Sequence, residues 1–355
     1  MKKLENLHIR ALLPILAPSE FKKKLHLYKN DTMTVLNARQ KIINIIKGID
    51  KRLLMIIGPC SIHDPKAALE YASRLAALSK EVEKTMCIVM RVYFEKPRTA
   101  IGWKGLINDP FLDSSNDMNT GLITARKLLL KINNLRLPCA TEFLDPVIPQ
   151  YLADLISWAA IGARTIESQT HREMASGLSM PVGFKNSTDG NLSLAINAMI
   201  SSCHPQSFLG INQKGQTSIV KTTGNKFGHI VLRGGGGKPN YYEHDLKKIS
   251  TILRQNKLLD AVMVDCSHEN SSKDYNRQPD VFHYVLKKRL RGKHNIIGMM
   301  LESNLKPGNQ KIPKDKTKLQ YGISITDGCI GWDMTEKLIQ SAHDEISGLK
   351  GVFHK

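Results

Sequence analysis

No stretch of this chain is apolar for long enough to cross a bilayer. A spanning helix needs about 18 or more consecutive apolar residues. Near the start, Leu12-Leu13-Pro14-Ile15-Leu16 is apolar but short and interrupted by proline, so no secretory leader is expected behind the basic Met1-Lys2-Lys3. Cysteine is scarce. The six sit at 60, 87, 139, 203, 266 and 329, with no C-x-x-C pair and no disulfide-framework spacing. Reduced thiols are expected, most of them small core residues. These absences point to a soluble cytoplasmic protein with no membrane association. The chain also lacks G-x-x-x-x-G-K-[ST], a strand-placed G-x-G-x-x-G and G-x-S-x-G. An ATP site, an NAD site and a serine-nucleophile elbow are therefore not indicated.

Negative charge is the other shortage: 32 acidic residues face 51 basic ones, for a net charge of +19. That excess raises nucleic-acid binding as a rival function, but such a surface needs clustered cations with stacking aromatics. Aromatics are only 6% here and the basic residues are spread along the chain, so no nucleic-acid partner is expected. Lysine, asparagine and isoleucine are all abundant and all have AT-rich codons, which accounts for the surface lysines. A few internal cations are read as a site for anionic substrates.

What is present is a rhythm. Residues 1–50 read as an extension, with an amphipathic helix over 32–48 ending at Gly48. From residue 51, short β-rich runs alternate with helical patterns. The runs are Leu53–Ile57, Cys87–Phe94, Leu137–Phe143, Ala163–Glu167, Pro181–Lys185, Gly228–Arg233, Ala261–Cys266 and Ile296–Leu301. Helices are expected over Lys66–Lys84, opened by Asp64-Pro65, and over Asn119–Asn134 and Pro146–Ala160. Eight strands alternating with helices suggest a (β/α)₈ TIM barrel, with a doubly wound open sheet as the alternative. Residues 208–225 read as an inserted β-hairpin near Gly215. The expected division is an N-terminal extension, 1–50, for regulatory or oligomer contacts, and a catalytic barrel, 51–355.

In a barrel the C-terminal strand ends converge on one face. The polar residues there are Cys60, Arg91, Glu142, Arg164, Lys185, Arg233, His268 and Glu302. Arg91, Arg164, Lys185 and Arg233, with Lys96 and Arg98 after the second strand, form a cationic set that needs anions between its members. Any single arginine is as readily a salt bridge; the set is not. Cys60, His268, Glu302 and Asp327 offer thiolate, imidazole and carboxylate, a mixture that suits a divalent first-row metal. No local spacing supports that metal site, and a lone histidine is more often structural. Gly234–Gly237 reads either as a backbone cradle for an anion or as a flexible loop.

Longer motifs carry a resemblance. They are Ile57-Gly58-Pro59-Cys60-Ser61-Ile62-His63-Asp64, Met90-Arg91-Val92-Tyr93-Phe94-Glu95-Lys96-Pro97-Arg98-Thr99, Gly102-Trp103-Lys104-Gly105 and Pro181-Val182-Gly183-Phe184-Lys185-Asn186. Asp265-Cys266-Ser267-His268 and Ser324-Ile325-Thr326-Asp327 join them. The chain closely resembles the type I 3-deoxy-7-phosphoheptulonate (DAHP) synthases, the feedback-regulated bacterial class, from about residue 50 nearly to the end. The resemblance implies a (β/α)₈ barrel and a transferase that joins phosphoenolpyruvate to erythrose 4-phosphate. That reaction is the first step of the shikimate pathway to chorismate and aromatic amino acids.

The resemblance further implies a divalent metal, Mn²⁺ or Fe²⁺, on Cys60, His268, Glu302 and Asp327. It implies phosphoenolpyruvate on Arg91, Lys96, Arg164, Lys185 and Arg233, with the backbone of Ala163 beside the phosphate, and erythrose 4-phosphate on Lys96, Arg98 and Thr99. Lys96, Cys60 and His268 would stand closest to the chemistry, with cationic neighbours lowering the pKa of Lys96. An aromatic amino acid as feedback inhibitor is implied, with features leaning toward the tryptophan-sensitive isozyme, as is a homodimer or homotetramer. The extension and the hairpin would form the inhibitor site. Cys266, Glu269 and the fourth glycine of 234–237 depart from the family pattern, Glu269 adding negative charge beside an expected metal ligand. The rivals are a Schiff-base aldolase acting through Lys185 or Lys96, a synthase for a five-carbon phosphosugar, and a fold that has lost catalysis.

Overall fold

Apolar runs without in–out alternation mark strands buried on both faces. The computed structural model, which describes residues 4–292 and 295–352, forms eight of them into a closed barrel. They are β1 (Leu53–Gly58), β2 (Met86–Arg91), β3 (Cys139–Glu142), β4 (Trp158–Ile161) and β5 (Val182–Lys185), then β8 (Gly228–Leu232), β9 (Val262–Asp265) and β10 (Ile296–Glu302). All neighbours are parallel, and β10 closes on β1 through Leu54↔Gly298 to Gly58↔Glu302. The antiparallel hairpin of β6 (Ser207–Ile211) and β7 (Thr217–Lys221) stands outside the barrel, where the sequence places an insertion. Residues 1–3 and 353–355, the outer ends of the expected extension and barrel, lie outside the described residues, as do 293–294. Among the described residues no helix is long and apolar enough to cross a membrane.

The helices begin where side chains satisfy their free N–H groups. Asp64 Oδ1 accepts from the backbone N–H of Lys66 (2.8 Å) and Ala67 (3.2 Å), opening α3 (Pro65–Glu81) with proline in its first turn. Of the two helices of the extension, α1 (Pro18–Lys24) lies beside Tyr151, while α2 (Lys29–Ile46) seals the barrel's N-terminal end. Ile42, Ile45 and Ile46 of α2 join the inward residues Leu54, Ile56, Val89, Trp158, Val231 and Met300 in one buried cluster. A second, larger cluster fills the layer between strands and outer helices, including α4 (Met118–Asn134). Arg126 fastens the extension to the barrel. Its Nε donates to Leu25 O at 2.7 Å, and its two terminal nitrogens grip Asp154 at 2.8 Å each.

One segment differs from the sequence expectation. A helix was expected over Pro146–Ala160 and a strand over Ala163–Glu167; instead one turn of helix, Pro149–Leu152, is followed by β4 at Trp158–Ile161. Alanines 159 and 160 favour helix locally, but the pairing of β4 between β3 and β5 overrides that preference. Residues 163–167 form the turn beyond the strand, which still places Ala163 and Arg164 at its C-terminal end.

Inside the barrel, His229 is fully buried and its Nε2 accepts from Trp158 Nε1 at 3.1 Å. Burial holds its pKa down at about 4. The unfolded chain, with an ordinary histidine near 6.5, therefore binds a proton that the folded barrel rejects. Stability should fall as pH drops from about 6.5 to 4, by up to about 3 kcal/mol from this residue. Urea unfolding at pH 7 and pH 4.5 checks this, because His229→Gln keeps an acceptor for Trp158 and should show a smaller loss.

Candidate active site at the C-terminal mouth of the barrel

A cavity of about 310 Å³ opens at the C-terminal strand ends. Six cations line it: Arg91, Lys96, Arg98, Arg164, Lys185 and Arg233, against the acids Glu142 and Asp327. Thr99, Ala163 and His268 share the wall. The strands deliver these groups directly, since Arg91, Glu142, Lys185 and Glu302 are the last residues of β2, β3, β5 and β10. Arg233 follows β8 by one residue.

The deep cations are held by named partners. Arg91 donates from Nε to Pro59 O (3.0 Å) and from Nη2 to Cys60 O (3.1 Å) and Glu302 Oε1 (2.8 Å). Its guanidinium carbon lies 3.6 Å from the centre of the Tyr93 ring, and its Nη1 is buried with no partner among the described residues. Such an orphan donor is costly unless an acceptor arrives. The Lys185 ammonium pairs with Asp265 Oδ2 at 2.8 Å. Burial works against the Asp265 charge, but Lys185 and then His268 hold its carboxyl well below the usual range. Arg233 is pulled down by burial, with Asp265 and Glu269 opposing. Nearer solvent, Arg164 Nε donates to Thr99 Oγ1 at 3.2 Å, joining the Lys96–Thr99 loop to the turn after β4. Two glycines make room. A side chain at Gly162 would meet Glu142 Oε1 at 2.0 Å, and one at Gly102 (φ +156°) would meet Arg98 Nε at 2.7 Å.

Below the cavity, Cys60, Glu302 and Asp327 bring their ligand atoms within 4.8 Å of one another, a group able to hold a metal ion. Cys60 and Glu302 are buried, while Asp327 opens to the cavity. His268 stands beside this trio rather than within it: its Nε2 is 3.9 Å from Glu302 Oε1 and its Nδ1 3.1 Å from Asp265 Oδ2 without hydrogen-bond geometry. Its backbone is left-handed, φ +59°, a strained conformation for a residue with a side chain. Burial and the Glu302 charge push the Cys60 thiol up to about 11. Lys96 Nζ lies 3.2 Å from Cys60 Sγ. The expectation that cationic neighbours depress Lys96 fails here. Burial and Arg91 do lower its pKa, but Cys60, Glu302 and Asp327 lift it more, and the net shift is upward.

Three N–H groups of the glycine run already bond to protein acceptors. Gly234 N–H goes to Asn240 Oδ1, Gly235 N–H to Lys238 O and Gly236 N–H to Thr188 O. Of the departures, Cys266 is buried, and Glu269 pairs with Lys273 at 3.0 Å while facing Arg233. Sequence reasoning missed Asp265, Ser267 and Gln278. Ser267 Oγ donates to Glu302 Oε2 (2.8 Å), and Gln278 takes the Glu302 N–H (2.9 Å) and donates to its carbonyl (3.0 Å). An aspartate closing the apolar run Val262-Met263-Val264 was a signal for Asp265; nothing local marks Gln278.

The sequence pattern described as the DAHP synthetase I family matches residues 28–340. The chain belongs to the DAHP synthetase I family. Relatives in this family match along nearly the whole chain. One from Escherichia coli (strain K12), named phospho-2-dehydro-3-deoxyheptonate aldolase, Tyr-sensitive, is 52% identical over 97% of both chains. A Trp-sensitive namesake from Buchnera aphidicola subsp. Baizongia pistaciae is 50% identical over 98% of this chain and 99% of its own. The solved phospho-2-dehydro-3-deoxyheptonate aldolase of Francisella tularensis SCHU S4 superposes with a TM-score of 0.93 at 45% identity, covering 96% of this chain and 98% of that one. Tyr- and Trp-sensitive relatives of this DAHP synthetase I chain thus lie at nearly equal identity.

Proposed function

We propose that this protein joins phosphoenolpyruvate to D-erythrose 4-phosphate and water, releasing DAHP and phosphate, as a 3-deoxy-7-phosphoheptulonate synthase. The observation that carries this reading is the cavity itself. Six cations meet there over a thiol–carboxylate trio, and among the described residues the Arg91 Nη1 donor has no protein partner. A site so charged is stable when polyanions fill it. Arg164, Lys185 and Arg233, with the Ala163 backbone, hold the enol phosphate. Arg91 and Lys96 take the carboxylate, and Arg98 and Thr99 the sugar phosphate.

Cys60, Glu302 and Asp327, with His268 alongside, fit a divalent cation of the Mn²⁺ or Fe²⁺ kind by donor chemistry. Bound there, such a cation would supply Lewis-acid character beside the aldehyde oxygen. C3 of phosphoenolpyruvate then bonds to the aldehyde carbon, Lys96 gives its proton to the forming alkoxide, water adds at C2, and C–O cleavage expels phosphate. Holding both substrates by their anionic groups turns an encounter into a positioned reaction.

The Schiff-base alternative needs a neutral lysine amine. The Lys185 side chain is engaged by Asp265 at 2.8 Å, and Glu302 and Asp327 help raise the pKa of Lys96, which favours its charged form over the free amine. Borohydride added with each substrate should therefore trap no adduct; a mass increment on either lysine would favour the Schiff base.

The extension and hairpin support regulation by an aromatic amino acid. Ser19 N–H donates to Gln213 O at 2.8 Å, and Gln213 Nε2 to Gln150 Oε1 at 2.6 Å, so hairpin, extension and the turn before β4 meet. Leu4, Leu7, Leu12 and Leu13 are exposed in the single chain, an apolar arm that supports assembly into a homodimer or homotetramer. We place the protein in the cytoplasm, with residues 1–50 as the regulatory extension and 51–355 as the catalytic barrel.

A further inference from the structure

Three asparagines that do not line the cavity hold the backbone that presents Arg233. Asn186 follows Lys185 at the end of β5, and its Oδ1 accepts from Arg233 N–H at 2.9 Å. Its Nδ2 donates to Gly234 O and Ser187 O, both at 2.9 Å. Asn240, at the far end of the glycine loop, accepts Gly234 N–H on Oδ1 at 2.7 Å and donates from Nδ2 to Asn186 Oδ1 at 3.0 Å. Its backbone N–H reaches Asn270 Oδ1 at 3.0 Å. Asn270, two residues past His268, donates from Nδ2 to Leu232 O (3.1 Å) and Asp265 O (2.8 Å). Leu232 O, Arg233 N–H, Gly234 N–H and Gly234 O are therefore all engaged by asparagine side chains.

The chemistry requires the primary amide. Only it accepts on one atom and donates twice from another in a single plane, and Asn186 here uses two acceptor and two donor bonds. Asn186 and Asn270 are buried, where a lost partner leaves an unsatisfied group. The chain of contacts crosses the ends of β5, β8 and β9, the strands that carry Lys185, Arg233 and Asp265. The glycine run supplies the left-handed backbone between Arg233 and Asn240, with Gly234, Gly236 and Gly237 at φ +70°, +58° and +76°.

We propose that Asn186, Asn240 and Asn270 form a clamp of positioning residues that fixes Arg233 against Lys185 and so sets the affinity for the phosphate of phosphoenolpyruvate. This rests on the function proposed above. Asn240 is the member to test, because it is only partly buried and its side chain reaches the backbone of Arg233 through Gly234 and Asn186. Asn240→Ala removes both its side-chain bonds; Asn240→Asp keeps the acceptor for Gly234 but turns an oxygen toward Asn186 Oδ1.

The experiment is phosphoenolpyruvate binding by titration calorimetry on the metal-loaded full chain, alongside steady-state kinetics. Both variants should bind phosphoenolpyruvate about tenfold more weakly, the size of effect expected for one lost fixing interaction. KM for phosphoenolpyruvate should rise in parallel, while KM for erythrose 4-phosphate and metal content stay at the wild-type level. Circular dichroism and thermal melts of both variants show that they are folded before their affinities are compared. Unchanged affinity in folded variants, or a parallel rise in both KM values, overturns the clamp while leaving the function standing. A wild-type protein that binds no phosphoenolpyruvate overturns the functional reading and the clamp with it.

Discussion

Cys60→Ala should leave a folded barrel that has lost turnover and binds divalent metal at least about 100-fold more weakly, since even residues that merely orient metal ligands cost 10–100-fold when removed. Cys60 contributes the only sulfur of the trio and is fully buried, with Sγ 3.6 Å from Asp327 Oδ2. Burial and Glu302 push its thiol up to about 11, so the bare site favours the protonated form. A cation must displace that proton, which makes metal affinity rise with pH and metal binding release acid. Alanine leaves Glu302, whose oxygens are already shared with Arg91 and Ser267, and Asp327 at the cavity edge. Metal content after dialysis, followed by Mn²⁺ titration of activity, checks the loss. Full activity of Cys60→Ala in chelator would contradict the ligand set.

Lys96→Met should lower kcat by about 10³-fold, within the range for a positioned proton donor, and leave metal content unchanged. The substitution keeps most of the side-chain volume and removes the ammonium that stands 3.2 Å from Cys60 Sγ and faces Glu302 and Asp327. Lys96 donates to the thiol, whereas Lys185 and Arg91 are already paired to Asp265 and Glu302. Among the described residues Lys96 has no carboxylate ion pair, which leaves it able to follow charge as it develops on the substrate oxygen. Substantial turnover in the variant would remove Lys96 from the mechanism, and loss of metal together with turnover would reassign it to supporting the ligands.

Much of this was legible in the sequence, for a physical reason. Strands of a parallel barrel are apolar on both faces, so a charge at the end of an apolar run is conspicuous. That makes Arg91, Lys185, Arg233 and Glu302 readable as one cluster from the sequence alone. The reading failed where local preference and tertiary pairing disagree. The Trp158-Ala159-Ala160-Ile161 run carries helix-favouring alanines and becomes a strand only because β3 and β5 flank it. It failed again where a role depends on neighbours remote in sequence. The groups that raise the pKa of Lys96 come from residues 60, 302 and 327, and reverse the shift that nearby cations alone imply. The asparagine clamp is of the same kind. Each member reads singly as a loop residue, and only the convergence of β5, β8 and β9 brings the three amides onto one stretch of backbone.

The most direct test of the central claim is the loss of phosphoenolpyruvate absorbance when the purified protein meets erythrose 4-phosphate and Mn²⁺, with and without EDTA. Consumption should be matched by phosphate release and stopped by chelator. Absence of consumption by the folded protein with any divalent metal would contradict that claim, leaving the family fold without the family's chemistry.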